Sequence, residues 1–300
     1  MITRERLLLK AGQIRQQVRN KRMQTIALAK PLSETPYTDL PTNGWYRAAY
    51  TPEMALAILT APRDGASTLP ATIASIRRAG FDQHIHIFAQ MAKLPVVLRD
   101  GNITVHYDPV GKGVYANWKM AAHYLLASSP ADWMMIMEDD IEWCDHGADI
   151  MYHTIGCINT NSARIRRDRV GALSPYTSPA MVAKGVHTTG WTEAAFAGKI
   201  KGLWGALALC LPREVLEALV DHPSFKDCKA LNAIDYLVGD ILRNQMDPPR
   251  EVKVHIPSIV EHRGEVSTIF SKQSTSGSHI NYLRHGYKYD PSAAWRKSKV

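Results

Sequence analysis

A chain of 300 residues with 45% apolar side chains can bury a substantial core, as one large α/β domain or two small ones, which excludes a disordered or fibrous polypeptide. No apolar run reaches the roughly 18 residues that span a bilayer, and Met1-Ile2-Thr3-Arg4-Glu5-Arg6 opens no secretory cleavage pattern, so a soluble cytoplasmic protein without a transmembrane segment is expected. The net charge of +8 is concentrated at the ends, +7 over residues 1–30 and +4 over residues 284–300; such ends suit a polyanion, either nucleic acid or a membrane surface, with solvated tails as the plain alternative.

Residues 4–30 have helical periodicity, with Leu7, Ala11, Ile14 and Val18 on one stripe and Arg15, Arg19, Lys21 and Arg22 largely off it. Residues 31–52, punctuated by Pro31, Pro36, Pro41, Asn43-Gly44 and Pro52, read as a connector. The expected organisation is therefore a basic helix and connector over 1–50, a main domain over 51–283 and a basic tail over 284–300. The four cysteines Cys144, Cys157, Cys210 and Cys228 lack any paired metal-binding spacing and read as reduced thiols.

Inside the main domain, strands and helices alternate. Met54 to Thr60 reads as a strand, followed by the loop Ala61-Pro62-Arg63-Asp64-Gly65. A helix from about Ser67 to Ala79 comes next, with Leu69, Ile73 and Ile76 on its buried face and Gly80 at its end. His84 to Ala89 and Ile103 to His106 are further strands, and Val114 to Ala127 a helix. This order predicts right-handed βαβ units and a mainly parallel sheet flanked by helices. Gly111 and Gly113 do not make a dinucleotide fingerprint, which belongs directly after the first strand.

The most informative stretch is Trp133-Met134-Met135-Ile136-Met137-Glu138-Asp139-Asp140. A continuous apolar run suits a strand buried on both faces, and its three acids then fall at the carboxyl end, where open α/β sheets bind ligands. Clustered carboxylates repel one another unless a divalent cation lies between them and an anionic substrate, and oxygen donors suit Mg²⁺ or Mn²⁺. The plain alternative is a solvated acidic turn.

Residues 161–200 resist assignment, apart from a basic cluster of Arg164, Arg166, Arg167 and Arg169. In the apolar run that follows, backbone can approach a ligand closely at Gly205, and Trp204 offers a flat face for a sugar or base, or else a core anchor. Pro212 starts a helix to about Val220, and another runs from about Ile234 to Asn244. Asp235 lies near the amino end of the latter, where the helix dipole favours its ionised form. Val252 to Pro257 is a last strand.

Taken in order, Thr60-Ala61-Pro62-Arg63, Glu138-Asp139-Asp140, Asn232-Ala233-Ile234-Asp235 and Pro257-Ser258-Ile259-Val260-Glu261-His262-Arg263-Gly264-Glu265-Val266-Ser267 resemble the nucleotide-sugar glycosyltransferases of the GT-A fold. The resemblance implies that Asp140 and His262 hold Mn²⁺ or Mg²⁺ against the donor diphosphate, with Glu138 and Asp139 facing nucleoside and ribose. It places Thr60, Arg63 and Asn117 on the nucleotide and Asp235 as the base of an inverting transfer, while Trp204 and Gly205 are expected at the nucleotide-sugar from their own chemistry. Glu-Asp-Asp departs from the commoner Asp-x-Asp and matches a variant seen in an acetylglucosaminyltransferase branch. The donor implied is a UDP-sugar. The acceptor is a hydroxyl, either of a saccharide or, given the basic ends, of a hydroxymethylated DNA base of the kind some bacteriophages glycosylate. Nucleotidyl transfer and a non-catalytic nucleic-acid-binding scaffold are the competing readings.

Overall fold

The computed structural model describes residues 52–62, 67–90, 101–160, 167–177, 190–194, 203, 205, 207–228, 234–256 and 258–263. Both basic ends, the connector, Arg63, Trp204 and Asn232 lie outside the described residues. Among the described residues, no helix is long and apolar enough to cross a membrane.

An eight-stranded sheet forms the middle of the fold, in the order β3(Ile103–Asp108)-β2(Ile85–Gln90)-β1(Met54–Thr60)-β4(Trp133–Glu138)-β8(Ala208–Pro212)-β6(Val170–Ser174)-β9(Glu251–Ile256)-β7(Gly190–Glu193). Six strands run in one direction; β7 and β8 oppose them. The mainly parallel α/β sheet is thus present, with β4 at its centre.

Both faces are covered, which is why β1 and β4 are apolar up to their last residues, Thr60 and Glu138. Met54, Leu56 and Ile58 of β1, with Trp133, Met135 and Met137 of β4, pack under α1(Leu69–Arg78) and α3(Gly147–Asn159). Ala55, Ala57 and Leu59, with Met134 and Ile136, face α2(Gly113–Ser128) and α4(Arg213–Asp221). Side chains alternate between the two faces along a strand, so a run without polar residues needs helices on both sides. In α1, Leu69, Ile73 and Ile76 are buried as expected, and the helix stops at Gly80, whose φ of 99° turns the chain so that the Phe81 N–H reaches Ile76 O at 3.2 Å, beside Gly80 N–H to Arg77 O at 3.0 Å.

The structure also departs from the sequence reading. β2 is shifted by one residue and β3 is two residues longer than expected. A short strand, β5(Ile141–Trp143), follows the acids and pairs antiparallel with β10(Val260–His262). After the short helix α5(Pro223–Lys226), the expected helix 234–244 divides into α6(Ile234–Asp240) and a wider turn, Ile241–Gln245, where Asn244 and Gln245 turn back to bond Asp240. All four cysteines are free thiols.

Candidate functional site

From β1 the chain moves outward to β2 and β3, then returns to place β4 on the other side of β1. At such a reversal the loops leaving the two neighbouring strands diverge and open a crevice outside their carboxyl ends. Thr60 ends β1 and Glu138 ends β4, with Leu59 in register with Glu138. Across the gap, the Thr60 hydroxyl donates to Asp139 Oδ2 at 2.5 Å.

The acidic turn is held from two sides. From α1, the Thr72 hydroxyl bonds the carbonyl oxygens of Asp139 at 2.7 Å and Ile141 at 2.8 Å. Ser75 Oγ accepts the Trp143 N–H at 3.2 Å. From the other side, β10 pairs His262 with Ile141, and the next residue's N–H, that of Arg263, donates to Asp140 O at 2.6 Å. That pairing sets His262 Nε2 3.0 Å from Asp140 Oδ2. Glu142 and Glu261 are directly opposite in the same ladder, and Arg263 bridges both at 2.5 and 3.4 Å, which offsets their repulsion.

Asp139 is 2% exposed and Asp140 4% exposed. Asp235, on the first turn of α6, completes the group: its Oδ2 accepts the Gly205 N–H and its Oδ1 the Tyr236 N–H, each at 2.9 Å. Burial, followed by the Asp140 carboxylate, pushes the Glu138 carboxyl up to about 8; His262 opposes the rise, while Asp139 and Asp235 add to it. Four carboxylates thus share one electrostatic neighbourhood with a single imidazole. Burial and the charges on Glu138 and Asp140 also raise the phenol of Tyr176.

Tyr176 and Thr72 are the residues that sequence reasoning missed. Neither belongs to a motif, and Tyr176 comes from the stretch that could not be assigned. Its place is fixed by the Ser258 hydroxyl, which accepts the Thr177 N–H at 3.1 Å, and by Ile259 N–H to Pro175 O at 3.0 Å. Gly205 was expected to admit a ligand; here a Cβ on it would lie 2.9 Å from the Tyr176 ring, at a φ of +88°. Gly205→Ala is therefore expected to cost about 1 to 3 kcal/mol, from the left-handed backbone and the displaced ring, and to shift the N–H that holds Asp235. Urea unfolding checks this, and unchanged stability would show that the loop rearranges freely.

No protein-family model and no curated protein matches the sequence. Among solved structures, the chain is similar to GalNAc-T7 crystallised with UDP, GalNAc and Mn²⁺, at 11% identity and a TM-score of 0.49, covering 70% of this chain and 43% of that one. It is also similar to a mannosyltransferase from Pyrobaculum calidifontis in complex with GDP-Man and Mn²⁺, at 14% identity and a TM-score of 0.41, covering 83% of this chain and 67% of that one. The chain thus spans less than half the length of the first.

Of the expected site residues, Thr60, Glu138, Asp139, Asp140, Gly205, Asp235 and His262 come together at the switch point. Asn117 sits one strand over: it is buried in α2, its Nδ2 donates to Phe88 O of β2 at 3.0 Å, and its Oδ1 has no hydrogen-bond partner. Arg63 and Trp204 lie outside the described residues. So do the basic ends that motivate a nucleic-acid partner. Among the described residues, no three His, Cys, Asp or Glu side chains are already spaced to enclose a metal ion.

A cleft of about 540 Å³ lies elsewhere, at the amino ends of β6 and β9, lined in part by Arg169, Arg243 and Arg250. Arg169 faces Glu251 at 3.8 Å, Arg243 faces Glu193 at 3.0 Å, and Arg250 bonds Asp168 O at 2.5 Å. Arg167 pairs with Glu214 at 3.3 Å. The described part of the second basic cluster is thus internally neutralised.

Proposed function

We propose that the chain is a metal-dependent glycosyltransferase that moves a sugar from a nucleotide-sugar donor, a UDP-sugar in the first instance, to a hydroxyl acceptor with inversion. The observation that carries this reading is the convergence of Asp139, Asp140, Asp235 and His262 around Glu138 at the topological switch point, with Glu138 driven up by burial and by its neighbours. Natural sequences gather like charges in this way where a bound cation or a reaction repays the cost.

The donor atoms fit a hard or borderline divalent ion, being carboxylate oxygens with one imidazole nitrogen. Asp140 and His262 would hold Mn²⁺ or Mg²⁺, which when bound neutralises the charge developing on the departing diphosphate. The remaining work falls to the chain. Glu138 and Asp139 face nucleoside and ribose, with the Thr60 hydroxyl fixing the rotamer of Asp139. Asn117, Arg63 and Trp204 contact nucleotide and sugar. Asp235, held in place by its two N–H donors, takes the proton from the attacking hydroxyl on the far side of the sugar.

The test is a panel of UDP-, GDP-, ADP- and CMP-sugars incubated with the full chain, in Mn²⁺ or in chelator, with nucleotide release as readout. Metal-dependent hydrolysis of one donor class is the expected result, and no turnover of any donor overturns the reading. Saccharides and duplex DNA bearing hydroxymethylcytosine are then compared as acceptors.

A further inference from the structure

We propose that His86 and His106 form a second metal site, distinct from the carboxylate cluster, that binds a divalent ion of the Zn²⁺ class through two imidazole nitrogens. His86 of β2 and His106 of the neighbouring strand β3 project from the same face of the sheet, since His106 is in register with Phe88, two residues after His86; His84 lies just before β2. Nδ1 of His86 is 3.3 Å from Nε2 of His106. Two nitrogens bound at 2.0–2.1 Å to a tetrahedral ion are separated by roughly 3.3 Å, the edge of that tetrahedron. The same distance also suits a hydrogen bond between the two ring nitrogens, which a bound ion would replace.

The rings are held in place by packing. His106 stacks on Phe88, with centroids 4.6 Å apart and planes 17° from parallel. Tyr124 of α2 packs against both, 4.1 Å from His106 and 5.0 Å from His86. His84 lies 4.8 Å from His86, and its Nε2 is engaged by the Thr104 hydroxyl at 2.8 Å, so water is left to fill the other metal positions. His86 and His106 are partly exposed, which gives the ion an entry path.

A metal needs unprotonated imidazole. Burial lowers both, and the neighbouring His84 and His106 take His86 down to about 4, so no proton competes at His86 near neutrality. If packing alone were the purpose, phenylalanine would cover the sheet here without desolvating the two imidazoles of His86 and His106. Imidazole nitrogen selects zinc-like ions, whereas the carboxylates of the other site favour Mn²⁺ or Mg²⁺.

The experiment titrates Zn²⁺ into the ¹⁵N-labelled full chain at neutral pH and follows the imidazole resonances. His86 Nδ1 and His106 Nε2 are expected to shift together and to saturate at one equivalent. His106→Gln is expected to lose that equivalent, measured by equilibrium dialysis, with Mn²⁺ binding at the carboxylates unchanged. Should the variant fail to fold, the wild-type spectra decide alone. Imidazole resonances of His86 and His106 that stay unmoved while Zn²⁺ binds elsewhere overturn the proposal, as does an unchanged Zn²⁺ stoichiometry in folded His106→Gln.

Discussion

Asp140→Asn is expected to abolish Mn²⁺-dependent donor binding while leaving a folded protein with a thermal midpoint, in chelator, within a few degrees of the wild type. The substitution keeps the shape of the side chain and the backbone contact from Arg263 N–H to Asp140 O, so the turn between β4 and β5 persists. What changes is charge. Two effects oppose each other without metal: the contact with His262 at 3.0 Å weakens, and one of the carboxylates that drives Glu138 up is removed. With metal there is no such offset, because a direct ligand is lost. Loss of a merely supporting group costs roughly 10–100-fold in metal affinity, and a direct ligand is expected to cost about 10²-fold or more. Calorimetric titration with Mn²⁺ and donor measures it, alongside the Mn²⁺-induced rise in thermal midpoint, which should vanish. If the variant binds both normally, the acidic stretch is only a turn.

How far the sequence revealed this site depends on how local each signal is. The strand from Trp133 and the acids at its end were legible because the whole signal, an apolar run of strand length closing in three carboxylates, lies within eight consecutive residues. The parallel half of the sheet followed from alternation of strands and helices. By contrast, β5 and β10 are three residues each and owe their existence to each other, across more than a hundred residues of chain; neither segment has a periodicity to read. His262 could be picked out by resemblance, but its contact with Asp140 comes from that pairing. Tyr176 was illegible for a related reason. It is placed by the Ser258 hydroxyl and by a glycine without room for a side chain, contacts that no local pattern encodes. The wider turn after Asp240 likewise interrupts a helix whose apolar spacing continues through it.

Asp235→Asn is expected to leave donor and metal affinity nearly unchanged while transfer to acceptor falls by about 10²-fold or more, the usual cost of losing a general base. Two carboxylates on this segment compete for that role. Five residues on a helix turn through about 140° beyond one full revolution, so Asp235 and Asp240 cannot both face the same cleft. Asp235 contributes to the electrostatic field at Glu138 and is tied to Gly205 N–H at 2.9 Å. Asp240 instead accepts from Asn244 Nδ2 at 2.7 Å and Gln245 Nε2 at 2.6 Å, within its own segment. An asparagine at 235 can still accept one of the two backbone N–H groups, so the loop at Gly205 is expected to stay in place and the loss to appear in kcat rather than in the KM for donor. Asp240→Asn should transfer at close to the wild-type rate, since its loss disturbs only contacts at the end of the helix. The assignment fails if Asp240→Asn loses transfer while Asp235→Asn keeps it. If both variants remain active, the proton leaves by another group or the reaction retains configuration, and the anomeric configuration of the product, read by proton NMR against that of the donor, separates those two cases.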